Sequence, residues 1–379
     1  MTSPSGPPQG AGGFPGQAPT QGFPPGGPQQ APATNGGLQN EVHTLERAIF
    51  EVKRIIVGQD QLVERMLVGL LAKGHVLLEG VPGVAKTLAV ETFAKVVGGT
   101  FARIQFTPDL VPTDIVGTRI YRMGKEEFDI ELGPAMVNFL LADEINRAPA
   151  KVQSALLEIM AERKISLGGK TFALPSPFLV MATQNPIEQE GVYSLPEAQR
   201  DRFLFKLNVD YPSPEEEREI IYRMGVTPPT PKQILNTGDL LRLQGVAASV
   251  FVHHALVDYV VRIVTATREP EKFGMPDAKS WIAYGASPRA SLGIIAASRA
   301  LALVRGRDYV IPQDVVEVIP DVLRHRLVLT YDALADEVSA ETVINRIMQT
   351  VALPQVNAIP QQGHSVAPAM PTPAAAGGR

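Results

Sequence analysis

The segment HVLLEGVPGVAKTLAVETFAKVVG, residues 75–98, constrains this chain more than any other. A short apolar run enters a Gly-rich turn and leaves as an apolar-periodic helix, the strand, loop and helix order of a phosphate-binding loop. Such a loop works through its backbone. Successive N–H groups converge on phosphate oxygens while the following helix presents its positive end. The pattern asks for Gly-x-x-x-x-Gly-Lys-Ser/Thr, and Ala85 stands where the second glycine is expected. At a position of negative φ a methyl group costs little, so the loop is expected to be intact. The binding set is Gly80, Val81, Pro82, Gly83, Val84, Ala85, Lys86, Thr87 and Leu88. Gly80 and Gly83 serve the tight parts, and Pro82 stiffens the turn. Lys86 supplies a cation for the β and γ phosphates, and Thr87 a hydroxyl for Mg²⁺.

Further apolar runs follow at FARIQF, NFLLAD, FLVMAT and FLFKL, separated by helical or loop segments. Strands alternating with helices predict a parallel sheet covered on both faces. After YPSPEEE the patterns are helical to about residue 350. The expected organisation is a Pro/Gly/Gln-rich disordered tail over 1–37, an α/β nucleotide-binding domain over 38–210, an all-α lid over 211–352 and a Pro/Ala-rich tail over 353–379. Two segments read as projecting inserts: FTPDLVPTDIVGTRIY (106–121), and RKISLGGKTFALPSP (163–177), where two alternating runs flank GGK as in a hairpin.

Ligands in a parallel sheet bind outside the carboxyl ends of the strands. NFLLADE ends there in Asp143 and Glu144. Asp143 would reach loop-bound Mg²⁺ through water, and Glu144 would polarise an attacking water. FLVMATQNP ends in Gln184, Asn185 and Pro186, where an amide either forms a turn or orients that water. Arg200 and Arg202 precede the last strand, and Arg289 starts a helix of the second domain. Each arginine taken singly reads more readily as a solvated or salt-bridged side chain than as a catalytic one. An arginine offered across an interface can nonetheless accelerate phosphoryl transfer by about 10³- to 10⁵-fold.

Composition narrows the function. The chain has no cysteine, so neither disulfides nor thiolate metal sites are available. Its six histidines lack ligand spacing, and the adjacent His253 and His254 are expected to point apart as a poor chelate. A net charge of −4 argues against sequence-independent nucleic-acid binding. No apolar run is long enough to span a membrane, no signal-like segment opens the chain, and a cytoplasmic location is expected.

Together GVPGVAKT, LLADEINRA, QSALLEIMAER, ATQNP, LPEAQRDRF, GASPRA and RHRLVLTYDAL resemble the MoxR family of AAA+ ATPases over roughly residues 40–350. The resemblance implies a phosphate-loop domain followed by a helical lid, assembled as a homo-oligomer, a hexameric ring with Mg-ATP between neighbours. By the same resemblance Asn185 is the first sensor, Arg289 the second sensor that lets the lid feel the γ-phosphate, and Arg202 the arginine finger, with Arg200 as its alternative. Val57 and Gly58 match the segment packing against adenine, and the two inserts match client-gripping elements. The implied activity is ATP hydrolysis coupled to chaperone-like remodelling of protein partners, including proteins with a von Willebrand factor A domain. A nucleotide-gated scaffold with little turnover, a nucleic-acid motor and a metal-chelatase motor subunit are the competing readings.

Overall fold

The computed structural model describes residues 35–355 apart from Pro82, Lys125, 187–192 and 226–228. The expected tails therefore lie almost wholly outside the described residues. At the first boundary, α1 (Asn35–Ile55) begins three residues before Leu38, so 35–37 belong to a helix. The break at IVGQD separates it from α2 (Asp60–Leu71).

Then follow β1 (His75–Gly80), α3 (Lys86–Val97), β2 (Phe101–Gln105) and α4 (Pro112–Val116). A hairpin of β3 (Gly117–Arg122) and β4 (Glu127–Leu132) leads to β5 (Phe139–Asp143) and α5 (Ala150–Glu162). A second hairpin, β6 (Lys164–Leu167) and β7 (Lys170–Ala173), precedes β8 (Leu179–Gln184), the short α6 (Glu197–Arg200) and β9 (Phe203–Val209). The central sheet is parallel in the order β2-β5-β8-β1-β9. Alternation along its strands divides the core. Val76 and Leu78 of β1, Phe139 and Leu141 of β5, and Leu179 and Met181 of β8 face one buried cluster. Leu77, Leu140, Ala142, Val180 and Ala182 face the other. Burial on both faces is what near-continuous apolar strands require.

The helical region after β9 comprises α7 (Pro214–Met224), α8 (Thr237–Ser249), α9 (His254–Ala266), α10 (Ala278–Trp281), β10 (Ile282–Tyr284), α11 (Pro288–Val304), α12 (Pro312–Leu323), β11 (Val328–Leu329), α13 (Tyr331–Ala335) and α14 (Ala340–Thr350). It is helical except for the antiparallel ribbon β10–β11, whose two or three residues are too few to leave a period in the sequence. Helices of this region share the first cluster with α1, α2 and α3. A buried ion pair, Arg65 Nε to Asp321 Oδ2 at 2.8 Å, ties α2 to α12. No helix among the described residues is long and apolar enough to cross a membrane.

Candidate active site

The phosphate loop joins the carboxyl end of β1 to α3. Lys86 is the first residue of α3, and its Nζ donates to the Gly80 carbonyl at 2.6 Å. A Cβ on Gly80 would lie 2.2 Å from the Val209 carbonyl oxygen, so only glycine fits where the end of β1 pairs with the end of β9. Ala85 departs from the sequence expectation. Its φ of 58° and ψ of 21° put it in the left-handed region, not at negative φ. The glycine of the usual pattern is required there for conformation, and Ala85 holds that conformation at a cost of about 1–2 kcal/mol. Gly83 is also left-handed, at φ 87°. Burial lowers the pKa of Lys86, while the negative charges of Asp143, Glu144 and Glu79 oppose that shift. Pro82 lies outside the described residues.

Strand register brings the acids to the same end of the sheet. Glu79 aligns with Gln184, Ala142 with Ala182, and Gln105 with Asp143. Asp143 is buried. Its Oδ1 accepts from Thr183 Oγ1 at 2.5 Å, and its Oδ2 accepts from Arg103 Nη2 at 2.7 Å and Nε at 3.0 Å. Thr183 Oγ1 in turn accepts the Glu144 N–H at 2.8 Å. Glu144 itself is left-handed, at φ 55°. Its Oε2 accepts from Gln105 Nε2 at 2.6 Å and lies 3.2 Å from Arg147 Nε. Asn185, directly after β8, is buried at this end. Thr183, Arg103 and Gln105 escaped sequence reasoning. The signal was present in FARIQF, where charged and amide side chains alternate with apolar ones beside a strand ending in acids.

The donor set fits Mg²⁺. The Thr87 hydroxyl and Asp143 carboxylate are hard oxygen donors, and Mg²⁺ takes one or two such groups and completes its shell with water and substrate phosphates. Among the described residues there is no cluster of three or more His, Cys, Asp or Glu that would hold a metal by protein groups alone. His253 and His254 do not point apart as expected. His253 caps α9, accepting the Ala255 N–H at 3.1 Å, and the two rings lie with centroids 4.1 Å apart.

Beside the loop, an apolar pocket is lined by Ile55, Ile56, Val57, Val84, Leu88 and Met224, among others. Its position and chemistry suit a planar base. Gly58 lies between the lining residues Val57 and Gln59 but is not itself part of the lining; its φ is 64°, and a Cβ there would meet Glu216 Oε1 at 2.2 Å.

The three arginines lie elsewhere. Since β9 runs parallel to β1, with His75 opposite Phe203 and Gly80 opposite Val209, residues 200–202 stand at the amino end of the sheet. That is about 16 Å from the phosphate loop at roughly 3.3 Å per residue. Arg202 and Arg289 line one cleft there with His75, Arg163 and Arg326. Arg202 Nη1 donates to the Leu157 carbonyl at 2.9 Å, and Arg289 Nη1 lies 3.5 Å from Asp201 Oδ2. Asp201 also accepts from Ser287 Oγ at 2.8 Å and Arg326 Nε at 2.9 Å. Arg200 turns back toward Glu197 at 3.6 Å. Arg289 therefore does not join Lys86 of its own chain, as the second-sensor reading expected. It accompanies Arg202.

This architecture, a five-stranded parallel sheet with a phosphate loop, strand-end acids and a helical lid, defines an AAA+ ATPase. Residues 75–205 match the ATPase family associated with various cellular activities (AAA), and residues 277–347 the AAA lid domain. The chain is 79% identical to Chaperone MoxR1 of Mycobacterium tuberculosis strain H37Rv across the full length of both. It is 34% identical to Protein MoxR of Paracoccus denitrificans, covering 73% of this chain and 86% of that protein. A crystal structure from Cytophaga hutchinsonii, provisionally described as an ATPase, superposes with a TM-score of 0.80 at 43% identity, covering 84% of this chain and 97% of that one. The chain belongs to the MoxR family of AAA+ ATPases.

Proposed function

We propose that the protein hydrolyses Mg-ATP at sites shared between neighbours in a homo-oligomeric, hexameric ring, and couples turnover to remodelling of protein clients in the cytoplasm. One observation carries this reading. Loop, acids and base pocket occupy the carboxyl end of the sheet, whereas the exposed Arg202 and Arg289 occupy the amino end. Neither half suffices for phosphoryl transfer, and head-to-tail packing would bring the two together.

In that arrangement Lys86 and the amides of the loop hold the β and γ phosphates. Thr87 and Asp143 would hold Mg²⁺, which would supply charge neutralisation at the phosphates. Glu144 accepts a proton from the attacking water while Asn185 aligns it. From the next chain, Arg202 and Arg289 stabilise the charge developing on the transferred phosphoryl group. Arg202 suits the finger role better than Arg200, which is partly buried against Glu197.

The two inserts support client handling. The β3–β4 hairpin exposes Met123 at 86% and Phe128 at 60%, and Arg119 stacks over the Phe128 ring at 4.5 Å. Gly168 of the β6–β7 turn backs directly onto Arg119, so the hairpins touch. Exposed apolar side chains on a projecting hairpin fit a protein partner, with von Willebrand factor A domain proteins as first candidates.

The test is steady-state phosphate release by the unaltered protein and by Glu144→Gln. A loss of about 10²-fold or more with nucleotide binding retained is expected from removing the general base. Equal rates would leave a nucleotide-gated scaffold. Glu144→Gln should also retain client proteins in the ATP state, and Lys86→Ala should release them.

A further inference from the structure

Glu79, Asp143 and Glu144, at the carboxyl end of the sheet, each have a cation or amide partner. Glu79 pairs with Lys206 at 2.8 Å, and Glu144 is held by Gln105 and Arg147. Asp143 has Arg103. The pair is unequal: the Asp143 side chain is 11% exposed and that of Arg103 is 49% exposed. A buried carboxylate beside two other acids needs a counter-charge, while an arginine half in water on an edge strand can leave without being stranded.

Arg103 also reaches the second acid. Its Nη2 donates to Gln105 Oε1 at 3.0 Å, which fixes the amide so that Nε2 is turned to Glu144 Oε2. One guanidinium thus neutralises the metal-facing acid directly and restrains the water-facing acid through an amide.

We propose that Arg103 is a resident counter-ion of the site, a positioning residue that competes with Mg-nucleotide for Asp143 and so sets the Mg²⁺ concentration at which nucleotide binds. The proposal rests on the reading that Asp143 faces the metal. A dication at Asp143 makes the guanidinium redundant and repels it toward solvent. Gln105 then loses the contact that fixes its amide, and its hold on Glu144 loosens. Arrival of metal at one acid is thereby passed to the other.

The experiment is a Mg²⁺ titration of a fluorescent, non-hydrolysable ATP analogue on the full-length protein, with melting curves in the metal-free and loaded states. Arg103→Gln should lower the Mg²⁺ midpoint about fivefold, the scale of a partly exposed ion pair. It should also lower the melting temperature of the metal-free protein more than that of the loaded one. Arg103→Lys keeps the charge without the two-pronged grip and should fall between. A midpoint unchanged or raised in Arg103→Gln overturns the proposal. If that variant does not fold, a Lys midpoint equal to or above the unaltered protein's overturns it alone. Mg²⁺-independent binding by the unaltered protein would instead remove the assignment of Asp143 beneath it.

Discussion

Ala85 shows what one residue can carry in a loop whose work is done by the backbone. Its left-handed conformation turns the chain into α3, and any L-residue there is strained relative to glycine. Ala85→Gly should relieve that strain, offset in part by glycine's larger entropy loss, for a net gain of about 0.5–1 kcal/mol. Denaturant melts of the nucleotide-free protein check this, and nucleotide affinity should hold. Lys86, Asp143 and Glu144 were legible in the sequence because their spacing follows the order of strand, loop and strand end. The conformation of residue 85 was not, since an alanine announces no φ. Nor was the role of Thr183, whose hydroxyl joins Asp143 to Glu144. In ATQNP it looks like an ordinary strand residue, and only the pairing of β5 with β8 reveals it.

At the scale of elements, β1 runs from the arginine cleft at its amino end to the phosphate loop at its carboxyl end, and His75 anchors the amino end. The ring is buried, its Nδ1 accepting the Val180 N–H at 3.0 Å and its Nε2 facing the Met160 carbonyl at 3.3 Å, which joins β1 to β8 and α5. That pattern needs a neutral imidazole. Burial, the largest influence, lowers the pKa of His75 to about 4, with Arg163 adding to the shift. As pH falls, the unfolded chain takes up this proton first, near the ordinary value of about 6.5. The stabilisation is therefore complete above about pH 6.5 and is lost as pH falls toward 4, a loss of about 3 kcal/mol. His325, buried against the Phe203 carbonyl, is lowered by burial and acts in the same sense. Urea midpoints measured from pH 7.5 to 4.5 should fall, and His75→Gln should flatten part of that slope. An unchanged slope would mean the ring is not held neutral. The sheet strands and the β6–β7 hairpin were legible because burial on two faces and a Gly-Gly turn both leave composition marks. The β3–β4 hairpin was legible only in part: the segment read as an insert, 106–121, takes in α4 and most of β3 but stops short of β4, since exposed strands carry no buried face to pattern.

Across the whole molecule, the separation of Arg202 and Arg289 from Lys86 is the feature that sequence order could not supply. LPEAQRDRF and GASPRA are far apart in the chain, and it is Asp201, bonded to Ser287, Arg289 and Arg326, that gathers them at the amino end of the sheet. On the proposed function, the chain carries two unlike halves of one active site. On that proposal, assemblies built only from Glu144→Gln would lack the base, and those built only from Arg202→Ala would lack the finger. Mixing and reassembling the two makes some junctions where the intact loop face of an Arg202→Ala chain meets the intact arginine face of a Glu144→Gln chain. Phosphate release by that mixture is the most direct measurement. Recovery of activity well above the sum of the two separate variants is the predicted result. Co-assembled mixtures that stay as inactive as their parents would contradict the shared site.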